Sequence, residues 1–321
     1  MPEDGGQKPV AGGSEYPAIA VVGPTASGKT LLGEALAGRF HGEIVACDAL
    51  QVYRHMDIGT AKPSARDRER IPHHVLDLRE PGEDFSAGDY QRFGRDALRA
   101  VVASGHTPFV VGGTGFYLRA LIDGLFVGPG RSDVLRTRMR RIVAGRGAAR
   151  LYHALARVDP QIAARLAPTD AERIIRAYEI YLLSGRTMSW WQSQPRDRLQ
   201  GFRWLKLGIR WARPELYARI DRRVEEMFAQ GFIEEVRELM CRFPRSCHAF
   251  GAIGYRQIMA YLEERSSLQQ AIEDTQRESR RYAKRQLTWF QSDPGIHWLD
   301  ATTGLDAVLH LAAEMVSRFL A

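Results

Sequence analysis

The stretch that decides the fold is Ala18–Thr30, AIAVVGPTASGKT. Its first five residues form a short apolar run, which is typical of a parallel strand buried on both faces. Gly23, Gly28, Lys29 and Thr30 then fit the pattern G-x-x-x-x-G-K-[ST] of a phosphate-binding loop. The residues after Thr30 have the apolar spacing of a helix. The stretch therefore predicts a strand, a phosphate-binding loop and a helix in that order.

The chemistry of this loop explains its residue types. Glycines let the backbone curl, so that several N–H groups point at one anion, and the helix that follows adds the positive end of its dipole. Lys29 adds a point charge, and the Thr30 hydroxyl is a candidate ligand for Mg²⁺. The motif predicts that a diphosphate or a triphosphate binds here. It leaves open whether that ligand is ATP.

The composition adds a second indication of an anionic ligand. The 321 residues include 45 Lys and Arg against 38 Asp and Glu, a net charge of +7, which favours either a nucleotide or a nucleic acid as partner. The three cysteines form no C-x-x-C pair, so neither a disulfide framework nor a zinc ribbon is expected. Residues 1–16 are polar and glycine-rich and predict a disordered tail. Since no apolar run approaches the length of a membrane span, we expect a cytoplasmic monomer without a membrane partner.

Short apolar segments alternate with a helical pattern in the first part of the chain. Glu43–Cys47 and Thr107–Val111 are predicted strands, His73–Leu78 is a further candidate, and Asp89–Ala103 has helical spacing. Strands that alternate with helices predict an α/β fold with a doubly wound parallel sheet. In such sheets, ligands bind at the carboxyl ends of the strands.

A basic block interrupts this pattern. Residues 131–150 carry seven arginines and a single acid, Asp133. Helical segments follow at Gly147–Ala156, Pro160–Ala167 and Ala171–Leu183, and Trp204–Trp211 returns to a strand pattern. Two later helices are predicted, one starting at Pro214 and one over 274–290. We therefore predict a phosphate-binding α/β core formed by 17–128 and 201–321, with an inserted helical domain over 129–200.

Two polar residues lie at predicted strand ends. Asp48 follows the second strand, where a carboxylate either positions a magnesium ion or acts as a general base beside the transferred group. Thr114 follows Gly112 and Gly113, and its hydroxyl serves either a turn or the reacting centre. The residue types alone do not choose between these roles.

Taken together, the motifs resemble those of one family, the bacterial tRNA dimethylallyltransferases. The resemblance runs from about Ile19 to Leu299 with the motifs in the same order. The segments that carry it are GPTASGKT at 23–30, CDALQVYRHMDIGTAKP at 47–63, FSAGDY at 85–90, VGGTGFYLRAL at 111–121, GYRQ at 254–257 and YAKRQLTWF at 282–290.

This resemblance implies a specific reaction. Members of the family transfer the dimethylallyl group from dimethylallyl diphosphate to N6 of the adenosine 3′ of the anticodon in tRNA, with Mg²⁺ as cofactor. Asp48 would then accept the N6 proton, Thr114 would support the reacting centre, and Arg223 would join Lys29 on the diphosphate. The loop residues assigned to the diphosphate are Gly23, Pro24, Thr25, Ala26, Ser27, Gly28, Lys29 and Thr30.

The resemblance also implies contacts to the tRNA anticodon stem-loop. They fall on the residues Asp48, Ala49, Leu50, Gln51, Thr114, Arg136, Glu172, Arg173, Ile174, Ile175, Arg176, Gly251, Ala252, Ile253, Gly254, Tyr255 and Arg256. One position departs from the family pattern, because Ala49 stands where a serine is frequent.

Three other classes of protein share some of these features. A small-molecule kinase would use the same loop but would not need the basic insert. An adenylate isopentenyltransferase would share the chemistry but would leave the insert and the YAKRQLTWF segment without a role. A nucleotide-switched RNA-binding protein would be expected to carry the guanine-reading motif N-K-x-D, which is absent from the sequence.

Overall fold

The computed structural model describes residues 15–321. Within them, contacts divide the chain into two compact units, one formed by residues up to 122 together with 199–321, and one formed by 123–198. The predicted tail, 1–16, lies outside the described residues except for Glu15 and Tyr16, and Tyr16 already belongs to the first strand. No helix of the described chain is long and apolar enough to cross a membrane.

The first unit is built on a six-stranded sheet with the order β3-β2-β4-β1-β5-β6. Every neighbouring pair is parallel, which confirms the predicted fold class. The strands are β1 Tyr16–Val22, β2 Gly42–Cys47, β3 His73–His74, β4 Thr107–Gly112, β5 Phe202–Arg210 and β6 Ile296–Asp300.

The helices follow in chain order. Those up to Asp123 are α1 Lys29–Arg39, α2 Ala65–Arg70, α3 Ala87–Ala103 and α4 Gly115–Asp123. Those of the second unit are α5 Asp133–Arg146, α6 Ala148–Val158, α7 Pro160–Ala163, α8 Ala171–Ser184 and α9 Met188–Ser193. Those after β5 are α10 Arg213–Ala229, α11 Phe232–Arg242, α12 Tyr255–Leu262, α13 Leu268–Gln291 and α14 Leu305–Leu320.

The central strand β1 shows why the sheet is covered on both faces. Ala20 and Val22 belong to one apolar cluster, which includes Leu98 of α3, whereas Ile19 and Val21 belong to a second cluster with α1 and α14. Successive side chains of a strand point to opposite faces. An unbroken apolar run is therefore what two covering layers of helices require.

One strand prediction is too long. His73–Leu78 was predicted as a strand, but only His73 and His74 pair with β2. Val75 and Asp77 have φ angles of 64° and 53°, in the left-handed region that cannot continue a β ladder. The Asp77 carboxylate forms ion pairs with Lys62 at 2.7 Å and with Arg68 at 2.6 Å. These contacts hold the segment after His74 as a loop.

The second unit, 123–198, has a helical core of its own. Its buried side chains come from α5, α6, α7 and α8 and include Met139, Leu155, Ile174 and Ile175. Glu179 of α8 is fully buried and accepts two hydrogen bonds from the Arg136 guanidinium, both at 3.0 Å. Glu179 also accepts hydrogen bonds from Arg176 and from the Ser132 N–H, and these donors lower the pKa of its carboxyl although burial opposes them.

Candidate functional site

The phosphate-binding loop lies between β1 and α1. Gly28 has a φ of 91° and precedes α1 directly, and a side chain at this position would be strained. The first N–H groups of α1 have no acceptor within the helix, so they are donors for an anion in front of it. This is the geometry that the G-x-x-x-x-G-K-[ST] pattern predicts.

Helix α10 and the residue after β5 brace this loop. The Arg219 Nε donates to the carbonyl of Ala26 at 2.9 Å, and the indole Nε1 of Trp211 donates to the carbonyl of Ser27 at 2.9 Å. The Arg219 guanidinium also lies 4.3 Å from the centre of the Trp211 ring. The carbonyls of Ala26 and Ser27 therefore have hydrogen-bond partners within the protein.

Two cations face the ligand side of the loop. Arg223 of α10 donates from Nη1 to Thr25 Oγ1 at 3.2 Å, and Lys29 Nζ donates to the Pro24 carbonyl at 3.3 Å. Burial, together with the positive charge of Arg223, lowers the pKa of Lys29 to about 8, although Asp48 opposes the shift. Burial also lowers the pKa of Arg223, which remains a cation. An anion bound here would neutralise two desolvated positive charges.

Asp48 and Thr114 lie at the carboxyl ends of the adjacent strands β2 and β4. The Asp48 Oδ1 accepts the Leu50 N–H at 2.9 Å, which orients the carboxylate through a local turn. Thr114 Oγ1 accepts the Ala49 N–H at 3.2 Å, and the Thr114 N–H donates to the Cys47 carbonyl at 3.2 Å. Thr114 thus fixes the backbone beside Asp48.

These elements line a cavity of about 760 Å³. Of the predicted site residues, the lining includes Thr25, Ala26, Gly28, Lys29, Thr30, Asp48, Ala49, Leu50, Gln51, Arg223, Gly251, Ala252 and Ile253. Gly23, Pro24, Ser27, Thr114, Gly254, Tyr255 and Arg256 are not among the lining residues. The structure therefore brings the phosphate-binding loop, Asp48 and the 251–253 segment to one space.

Several predicted tRNA contacts have other roles in the structure. Ile174 and Ile175 are completely buried in the core of the second unit, so their side chains cannot reach an RNA. Tyr255 is also completely buried, and its hydroxyl donates to Glu235 at 2.6 Å. Arg136 is engaged by Glu179, as described above. The tRNA contacts of these residues stay a prediction, and Ile174, Ile175 and Tyr255 could make them only through backbone atoms, since their side chains are buried.

The cavity also contains side chains to which sequence analysis assigned no role. These are, among others, Tyr53, Phe85, Tyr117, Arg219, Arg222, Tyr282 and Gln286. Tyr282 and Gln286 are four residues apart in the YAKRQLTWF segment of α13, so they lie on one face of that helix. Polar residues at this spacing on a buried helix face are a signal that could have identified them. Arg219 and Arg222 have no comparable signal beyond their nearness to Arg223.

Oxygen ligands suited to Mg²⁺ are present in the cavity. The Thr30 hydroxyl and the Asp48 carboxylate both line it, and hydroxyl and carboxylate oxygens are the donors that Mg²⁺ uses beside phosphate oxygens and water. Within residues 15–321 there is no group of three or more His, Cys, Asp or Glu side chains that could hold a metal ion. The three cysteines are free.

Comparisons with known proteins give the family. The family model described as IPP transferase matches residues 51–293. A tRNA dimethylallyltransferase of Koribacter versatilis is 47% identical over 92% of this chain and 96% of its own length. The corresponding protein of Geobacter sulfurreducens is 44% identical over 94% and 97%.

Solved structures agree with these relatives. The full-length tRNA isopentenylpyrophosphate transferase of Bacillus halodurans is 36% identical, has a TM-score of 0.71 and is matched over 96% of this chain and 97% of its own. A eukaryotic dimethylallyltransferase acting on tRNA is 27% identical, with a TM-score of 0.76 over 94% of this chain and 80% of its own. With such identity over nearly their whole lengths, this chain belongs to the tRNA dimethylallyltransferase family.

Proposed function

We propose that this protein transfers the dimethylallyl group of dimethylallyl diphosphate to N6 of the adenosine 3′ of the anticodon in tRNA and releases diphosphate. The observation that carries the proposal is the single cavity that Lys29, Arg223 and Asp48 share. Cations suited to a leaving diphosphate and a carboxylate suited to an attacking amine line the same cavity, which supports the proposal. The same chemistry would take place in the cytoplasm, where we expect the protein to act.

The cations act on the leaving group. As the C–O bond of the prenyl donor breaks, negative charge grows on the diphosphate, and groups already aimed at it lower the energy of the transition state. Lys29, Arg223 and the N–H groups of the phosphate-binding loop are those groups. Bound Mg²⁺ would add charge neutralisation of the diphosphate, held by the Thr30 hydroxyl with Asp48 nearby.

The carboxylate acts on the nucleophile. The lone pair of adenine N6 is delocalised into the ring, so its attack is assisted when a base accepts the proton as the N–C bond forms. Two carboxylates line the cavity, Asp48 and Glu226, and Asp48 is the one whose charge acts on Lys29 of the phosphate-binding loop. A stacked base of the anticodon loop cannot reach an enclosed donor, so the adenosine has to be flipped into the cavity.

The test is a transfer assay with labelled dimethylallyl diphosphate and four acceptors offered separately. They are a tRNA with adenosine 3′ of the anticodon, the same tRNA with guanosine there, AMP and ATP. We expect label in the first tRNA only. Label in AMP or ATP would assign the protein to the mononucleotide class, and the absence of label in all four would remove the proposal. Inorganic diphosphate should compete with the donor, whereas ATP should not.

The basic insert gives a second prediction, which concerns affinity. Arg138, Arg141 and Arg150 are exposed, unlike Arg136, which is bound to Glu179. Replacing the three exposed arginines by Gln should flatten the slope of log K against log salt by about 1 to 3, since each phosphate contact contributes about 0.9. The kcat at saturating tRNA should change much less, because Lys29 and Asp48 belong to the other unit.

A matched control removes the same charge elsewhere. Arg99, Arg237 and Arg318 are exposed arginines of the first unit, each paired with an acid of its own helix. Their joint replacement by Gln should leave the salt slope unchanged. Filter binding across a salt series measures both triple variants. If the slopes of the insert variant and the wild type coincide, the insert does not contact tRNA phosphates through these arginines.

A further inference from the structure

Gln286 connects three separate parts of the first unit. Its side chain is only 6% exposed. Its Oε1 accepts the N–H of Thr25 at 2.8 Å, and its Nε2 donates to the carbonyl of Gly113 at 2.9 Å. A primary amide can accept and donate at its two ends at the same time. Gln286 of α13 therefore bridges the phosphate-binding loop and the loop that follows β4.

The backbone at Gly113 and Gly115 lies so close to side chains of α13 that neither position has room for a side chain of its own. A Cβ atom on Gly113 would lie 2.3 Å from Gln286 Nε2, and one on Gly115 would lie 2.0 Å from the Trp289 ring. Such distances are far below van der Waals contact. Helix α13 thus fixes the 113–115 backbone by packing as well as by hydrogen bonding.

The two hydrogen bonds of Gln286 reach the diphosphate side and the Asp48 side of the proposed reaction. Thr25 lies in the loop that faces the diphosphate, and its Oγ1 receives a hydrogen bond from Arg223. Gly113 precedes Thr114, whose Oγ1 holds the Ala49 N–H next to Asp48. One turn earlier in α13, Tyr282 lines the same cavity as Asp48. The same helix therefore contacts the leaving-group side and the base side.

We propose that Gln286 is a positioning residue that sets the spacing between the diphosphate-binding loop and the Asp48–Thr114 region. This role rests on the transferase function proposed above. Transfer needs the prenyl carbon to lie between the leaving oxygen and N6, and a misplacement of about 1 Å can cost about 10²-fold in rate. Gln286 acts through Thr25 and Gly113, because these are the backbone groups that its amide binds.

Two substitutions of Gln286 test its two hydrogen bonds, one by removing both and the other by keeping only the bond to Thr25. Gln286→Met keeps the length of the side chain but removes both hydrogen bonds, and we expect kcat to fall about 10²-fold with tRNA affinity unchanged. Gln286→Glu keeps an acceptor for the Thr25 N–H but sets a carboxylate against the Gly113 carbonyl. A protonated Glu regains an O–H donor, so the activity of this variant relative to wild type should rise as the pH falls from 8 to 6.

The control is Gln276→Met, on the same helix. The Gln276 amide binds Asp221 and Glu225 of α10 and not the two loops, so this variant should keep its kcat. Thermal melting shows whether each variant is folded. If Gln286→Met does not fold, Gln286→Glu alone tests the role of Gln286.

Three outcomes are distinguishable. A large loss of kcat in folded Gln286 variants, with the pH-dependent recovery of Gln286→Glu, supports the positioning role. A kcat close to that of wild type in folded variants, or a Gln286→Glu variant whose relative activity does not change with pH, overturns it. Absence of transfer by the wild-type protein itself would instead remove the proposed function.

Discussion

Replacing Asp48 by Asn is expected to lower kcat by about 10²- to 10⁴-fold, the range typical of a lost general base. The Asn side chain keeps an oxygen that can accept the Leu50 N–H, as Asp48 Oδ1 does, so the local turn should persist. What disappears is the negative charge and the capacity to take the N6 proton. Single-turnover kinetics at saturating tRNA and dimethylallyl diphosphate measure the effect.

The tRNA affinity of this variant should stay within about twofold of wild type, because a missing proton acceptor affects the transition state more than the bound substrate. Asp89→Asn is a suitable control, since the Asp89 carboxylate caps α3 by accepting the Ser86 N–H and does not line the cavity. It should lower stability without lowering kcat. Equal losses of kcat and tRNA affinity in a folded Asp48→Asn protein would assign Asp48 to tRNA positioning.

The second large effect concerns the pH dependence of diphosphate binding. Lys29 has a pKa of about 8 in the ligand-free protein, so it is cationic below pH 8 and neutral above it. A bound diphosphate favours the cationic form, and binding above pH 8 therefore requires uptake of a proton. We expect affinity for inorganic diphosphate to fall by up to about tenfold per pH unit above 8. Calorimetry between pH 7 and 9.5 measures this.

Other titratable groups near Lys29 should not produce the same pH dependence of diphosphate affinity. Arg223 remains cationic over this range, and burial raises the pKa of the Cys47 thiol to about 12. Lys29→Met provides the baseline, because the ionisation of the diphosphate itself affects both proteins equally. The affinity advantage of the wild type over Lys29→Met should be constant below pH 8, where Lys29 is already cationic, and shrink above it. Parallel profiles across the whole range would show that Lys29 does not titrate against the ligand.

The features predicted most completely from the sequence are those whose local residue pattern is itself required by the tertiary packing. The Ala18–Val22 run is apolar because β1 is covered on both faces, and the loop after it needs its glycines and Lys29 for backbone shape and charge. The carboxyl-edge positions of Asp48 and Thr114 follow from parallel topology alone. These residues could be predicted because each is specified within a few residues of its own strand.

What could not be predicted are the contacts between residues that are distant in sequence. Gln286 meets Thr25 from 261 positions away, and no local pattern of α13 identifies that partner. Arg136 is a second case, because the basic pattern of α5 gives no sign that its guanidinium binds the buried Glu179 of α8. The family resemblance puts Ile174 and Ile175 in a tRNA-contact segment with charged neighbours, whereas their side chains belong to the core of their unit.

The position of β5 has a consequence for how the chain is synthesised. β1 pairs along its whole length with β5, from Tyr16–Phe202 to Val22–Gly208, but β5 is made only after the entire 123–198 unit. During translation the N-terminal strands therefore emerge with the β5 side of β1 unpaired, and unpaired strand edges invite aggregation. The helical unit, with its own core, emerges from the ribosome before that edge is closed. Completion of the sheet, and with it of the cavity lined by Lys29 and Asp48, is thus a late event of synthesis.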